Sequence, residues 1–153
     1  MKKRIVFALS VVLAFGISTA LLGYHDGCTP GFWKNHLEAW GPTTYSPYQP
    51  LGSVFAFPTN LSDLAGHSLL QALKYPGGSG DTGAVRILLR TAVAALLNIA
   101  HYDVHYYGWN FGFKEVSDLV AAVNTALTGG RDAMLDLAQM LDTYNNMYCP
   151  LGD

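Results

Sequence analysis

The sequence predicts an all-α domain, a compact bundle of four to five helices around a central buried helix. Three observations carry that prediction. The stretch Thr82–His101, TGAVRILLRTAVAALLNIAH, is apolar on every side from Thr91 to Ala100 except at Thr91 and Asn98. Such a helix belongs at the centre of a helical domain or in a membrane. The uninterrupted apolar run is short for a span, and Arg86 and Arg90 stand close to it, so the core is its expected place. The segments on either side carry apolar residues at helical spacing. Strand alternation is missing apart from a short extended piece at Ser53–Phe57.

The chain opens on Lys2, Lys3 and Arg4, followed by an apolar run from Ile5 to Phe15 broken only by Ser10, and then by Ser18-Thr19-Ala20. This is the layout of a secretory signal peptide over residues 1–20 with cleavage after Ala20. Retained, Ile5–Gly23 would be just long enough to act as an anchor. Residues 21–153 then form a single exported helical domain, with the membrane involved only through the leader. Cleavage removes three of the nine basic residues and none of the eleven acidic ones, leaving a net charge of −5. Nothing in that balance attracts nucleic acid or an anionic membrane.

Cys28 and Cys149 stand near the two ends of the exported portion and pair most simply with each other. Their spacing suits neither zinc nor covalently attached haem. After Cys28, Thr29 is placed to cap a helix and Pro30 to begin it. Trp33, Leu37 and Trp40 fall on one apolar face, with His36 between them and pointing inward, and Gly41-Pro42 ends the helix. Residues 43–59 are an irregular Pro- and Tyr-rich crossing with long aromatic loops. Thr59 or Asn60 caps the next helix, whose inward face is Leu61, Leu64, Ala65, Leu69, Ala72 and Leu73, with His67 opposite and solvated. Asn60-Leu61-Ser62 also fits a glycosylation acceptor. Asp81 caps the central helix. Lys114–Leu127 is a surface helix ended by Gly129-Gly130, and a last helix from Asp132 buries Met134, Leu137, Ala138, Leu141 and Tyr144.

The stretch Gly27–Trp40, GCTPGFWKNHLEAW, resembles a signature of exported bacterial and archaeal proteins of uncharacterised function. In those, a Cys-Thr-Pro-Gly-aromatic-Trp-Lys-Asn-His segment opens the domain. A helix similar to Arg90–Ala100 follows, and a Cys-Pro-Leu like Cys149–Leu151 closes it. The resemblance implies a secreted or surface-displayed helical module and brings no activity with it. The segment HYDVHYYGWNFGF over residues 101–113 departs from that pattern.

Chemistry has few places to reside. Arg90, Asn98 and His101 fall within about 80° of one another on the central helix at 100° per residue. His36 is the natural group to face them. One reading is a pocket in which His36 or His101 moves a proton and Arg90 holds an anion, as in a secreted hydrolase-like enzyme. The other is a buried polar network of His36, Arg90, Asn98 and His101, with Arg90 capping loop carbonyls and Asn98 bracing the Cys-Thr-Pro-Gly turn. His101 and His105 are spaced i, i+4, which on a helix would offer a metal two imidazoles, with His25 or Asp26 as a third donor. Position 102 is Tyr, so the glutamate of a His-Glu-x-x-His protease is missing. No cofactor motif accompanies these residues.

Only 13% of residues are charged, while nine tyrosines and three tryptophans are present; a quarter charged is usual. Tyr45, Tyr48, Phe55 and Phe57 lie in one irregular segment and Tyr106, Tyr107, Trp109, Phe111 and Phe113 in another. Folded inward they extend the core; facing outward, Tyr45, Tyr48, Tyr106, Tyr107 and Trp109 would anchor a contact with another protein. The expected role is therefore an extracellular or cell-surface structural and interaction module without catalytic residues. Its partner would be another protein, a copy of itself included, in an oligomer or filament.

Overall fold

The computed structural model describes residues 25–106 and 113–152. Among them are five α-helices, α1 (Pro30–Asn35), α2 (Leu69–Leu73), α3 (Gly80–Ala100), α4 (Val116–Thr128) and α5 (Gly130–Asn145). Three 3-10 segments, Leu37–Thr43, Leu51–Ser53 and Thr59–Gly66, fill the connections. The all-α prediction holds, and no strand occurs among the described residues. The extended piece expected at Ser53–Phe57 is not one: Ser53 ends a 3-10 turn, and Phe55 packs into the core. The signal peptide expected over residues 1–20 lies outside the described residues.

Helix α3 is the axis. Its 21 residues bury Leu88, Leu89, Leu96 and Leu97 completely, along with the alanines between them. At roughly 1.5–3 kcal/mol for each leucine removed from water, this one helix supplies a large part of the driving force. By length and composition it would also suit a membrane, but 72% of its apolar window is already covered by the rest of the fold. Helix α5 covers the longest part of it, α2, α4 and α1 the remainder. The helix starts slightly before the expected Asp81 cap. Ser79 precedes it, Gly80 takes a positive φ of 67°, and Asp81 sits in the first turn, where its charge favours the positive end of the helix dipole.

The first helix begins as predicted: the Thr29 hydroxyl accepts the Phe32 N–H at 3.0 Å and Pro30 occupies the first turn. It then ends earlier than the apolar spacing implied. The backbone leaves the α-helix at His36 and continues as a 3-10 segment. That change of pitch keeps Trp33 and Trp40 buried, with the Trp40 indole N–H donating to the Trp33 carbonyl at 3.0 Å. Leu37 rotates to the surface, 40% exposed. The helix predicted over residues 61–73 also splits, at His67, where extended backbone separates the 3-10 segment from α2. Across this break the Leu51 N–H donates to the His67 carbonyl and the Leu69 N–H to the Gln49 carbonyl, so the crossing is stitched to the start of α2.

The beginning and the end of the described residues meet. Cys28 and Cys149 form a disulfide 121 residues apart in sequence. Closing a loop of that size contributes about 4–5 kcal/mol in the chain-entropy model. Beside it, the Gly27 N–H donates to the Tyr148 carbonyl at 2.9 Å. A Cβ on Gly27 would fall 1.9 Å from the Tyr144 carbonyl oxygen, so only glycine permits the approach.

Candidate functional site

The centre of the closure is Asn98, which is fully buried. Its Oδ1 accepts the Cys28 N–H and the Trp33 indole N–H, both at 3.0 Å. Its Nδ2 donates to the Cys28 carbonyl at 2.9 Å and to Asn145 Oδ1 at 3.0 Å. A side-chain amide has two donor hydrogens and two acceptor lone pairs, and all four are used. Gripping both the N–H and the C=O of Cys28, the amide acts on the chain entry as a neighbouring strand would. Asn145, also fully buried, extends the network: its Nδ2 donates to the Thr91 carbonyl at 2.9 Å, and its Oδ1 also accepts the Tyr106 hydroxyl at 2.9 Å. Burial, with Tyr144 and Asp142 nearby, pushes the Tyr106 hydroxyl far up, so it stays a donor.

The four residues expected to share this region do not all reach it. Asn98 braces the turn after Cys28, and Arg90 caps a loop, its Nη1 donating to the Tyr75 carbonyl at 3.1 Å. His36 is not inward. Because α1 ends at Asn35, its ring swings out, stacks on Phe32 at 4.5 Å and pairs with Glu38 at 2.8 Å. His101 is buried 6.0 Å from the Trp33 ring, and its Nδ1 accepts the Asp103 N–H at 3.2 Å. Burial holds its imidazole below the ordinary value, against a smaller upward pull from Asp103. His36 lines one cleft and Arg90 two others, while His101 lines none of these. The arrangement therefore offers structural hydrogen bonds at Asn98 and Arg90 rather than one pocket shared by the three.

The i, i+4 placement of His101 and His105 fails for a simple reason: α3 ends at Ala100, and His101 is already extended. The two imidazoles have separate partners. His105 Nδ1 lies 3.0 Å from Asp26 Oδ2, and the His105 N–H donates to the same oxygen at 3.2 Å. Among the described residues no group of three His, Cys, Asp or Glu side chains is arranged to hold a metal. The Asp26–His105 pair was not foreseen as a pair. It holds the chain entry to the segment after α3, with an almost fully buried carboxylate whose other oxygen, Oδ1, has no hydrogen-bond partner. His67, expected in solvent, is half-buried with its Nδ1 against the Tyr75 hydroxyl.

The aromatic segments divide. Tyr106 is core rather than interface, and Phe55 is buried with it. Tyr45 is half-buried against the core, and burial raises its hydroxyl. Tyr48 projects, 77% exposed. Tyr107 and Trp109 lie outside the described residues. Two tyrosines that the sequence did not single out as contact residues, Tyr102 and Tyr148, are 74% and 64% exposed. Their exposure follows from the end of α3 and from the closing turn after α5, neither of which has a sequence period to reveal it.

Compared with protein-family models, with curated proteins and with solved structures, the chain matches none of them.

Proposed function

We propose that this is an exported structural and interaction module that works by contact with another protein chain, its own copy first. The observation that carries this reading is the set of tyrosines Tyr48, Tyr102 and Tyr148, which stay 64–77% exposed while most large apolar side chains are buried. Exposed tyrosine offers a rigid apolar body with a polar tip, the chemistry of interface anchors. Leu37 and Met147 add apolar surface, at 40% and 39% exposure. The Cys28–Cys149 bond fits an oxidising compartment, and the leader-like residues 1–20 fit export. The resemblance of the Gly27–Trp40 stretch to exported helical modules points the same way.

A specific interface needs about 800 Å² from each partner. Light scattering of the native protein over a range of concentrations tests the proposal, with a Tyr102→Ser, Tyr148→Ser double variant as comparison. The expected outcome is a defined oligomer or polymer that the variant reduces to monomer without loss of helix content. A parent that stays monomeric at high concentration would overturn self-association. The hydrolase-like alternative would then rest on the Asp26–His105 pair, a buried carboxylate holding an exposed imidazole, rather than on His36, Arg90 and His101.

A further inference from the structure

The basic side chains of this acidic protein are not spread evenly. Six lysines and arginines occur among the described residues. Three of them, Lys34 on α1, Lys74 at the end of α2 and Arg90 on α3, line one polar cleft of about 300 Å³. The helices bring them there from positions 40 and 16 residues apart in the chain, so no local charge run accounts for the cluster.

Their charges are not cancelled. Among the described residues both carboxylate pairs involve histidines, and no lysine or arginine lies within ion-pair distance of a carboxylate. Asp142 lines the same cleft without pairing. The bond from Arg90 Nη1 to the Tyr75 carbonyl fixes the guanidinium against the cleft wall and leaves its other N–H groups available. Arg90 is half-buried, so its field is less screened than that of a fully hydrated cation. Three like charges gathered around a single unpaired carboxylate still repel one another, and an anion seated among them would relieve that repulsion.

We propose that the Lys34–Lys74–Arg90 cleft binds a phosphate-type dianion. Three cations less the Asp142 carboxylate leave a formal surplus of two positive charges, which a phosphate monoester or inorganic phosphate neutralises and a single carboxylate does not. Arg90 supplies directional N–H donors to two oxygens, and the lysines act as point charges on the rest. The acidic surface beyond the cleft disfavours an extended polyanion, so the fitting ligand is one compact group, free or carried on a small molecule. This inference goes beyond the contact role and does not depend on it.

The test is calorimetric titration of the disulfide-intact protein at low ionic strength with inorganic phosphate, then with a sugar phosphate, then with acetate. Saturable phosphate binding is expected, with acetate weaker by about fivefold or more because it carries half the charge. Lys34→Gln with Lys74→Gln should weaken phosphate binding about tenfold or more, both side chains being exposed and outside the core. Lys114→Gln, outside the cleft, should change nothing. Tighter binding of the sugar phosphate would identify a carried group, and equal binding would identify free phosphate. The proposal is overturned by no saturation up to about 10 mM phosphate, by acetate binding equally well, or by Lys114→Gln weakening phosphate as much as the cleft variant.

Discussion

Asn98 and Arg90 sit on the same helix, about 12 Å apart at 1.5 Å per residue, and the polar regions around them are built in opposite ways. At Asn98 every donor and acceptor of the amide meets a buried partner, and the next amide, Asn145, carries the network on to Thr91 and Tyr106. At Arg90 one guanidinium N–H reaches a loop carbonyl, and the cleft beside it keeps two lysines unpaired. Burial decides the difference. A polar group taken out of water must find partners inside the fold, whereas a half-exposed cation remains hydrated and keeps its charge for a ligand. The first region holds the molecule together; the second is open to the outside.

Substitution separates the two most sharply by stability. Asn98→Ala leaves the Cys28 N–H, the Cys28 carbonyl and the Trp33 indole N–H buried without partners. At about 1–3 kcal/mol for each stranded group, and allowing for partial relaxation, the loss should be about 3–5 kcal/mol. Arg90→Ala should lose only about 1 kcal/mol, since a neutral carbonyl at the edge of a cleft can turn to water. Urea unfolding of both variants checks the order, and equal losses would break the contrast.

A pH series gives the next, smaller effect. His101 belongs to the closed region, and burial depresses its folded-state affinity for protons below the ordinary pKa of 6.5. Its stabilising contribution is therefore fully present above pH 6.5. As pH falls below that value the unfolded chain takes up the proton first, and stability is lost until the folded imidazole also titrates. Protonation further turns Nδ1 from acceptor into donor against the Asp103 N–H. Unfolding measured from pH 7.5 downwards should show a shallower acid decline in His101→Asn than in the parent; identical slopes would remove His101 from the account. The smallest effect is expected at His36, whose ring lies on Phe32 and pairs with an exposed glutamate. His36→Ala should change stability by no more than about 0.5 kcal/mol.

These expectations differ from those the sequence alone supports, and the reasons are physical. The central helix, the Thr29-Pro30 start and the Cys28–Cys149 bond were legible because each is a local signal: period, cap chemistry, or two cysteines with no other partner. Asn98 was legible as a polar group on an apolar helix that had to be satisfied. Asn145 was not, because its partners Thr91, Asn98 and Tyr106 lie 54, 47 and 39 residues away, and an asparagine near a helix end looks like any surface residue. His36 was misplaced because apolar residues at i, i+4 and i+7 fit one α-helix as well as an α-helix followed by a 3-10 turn. Only the second geometry turns His36 outward. The cationic cleft was invisible for the same reason as Asn145: three helices assemble it.

Hydrogen exchange at the two donors that Asn98 accepts tests the closure most directly. If this network is a structural clamp, the Cys28 amide and the Trp33 indole N–H should exchange only through global unfolding, as slowly as the amides of Leu96 and Leu97 on α3. Exchange of those two protons through a low-energy local opening, with the α3 amides still protected, would show a region that opens like a pocket and would contradict the account.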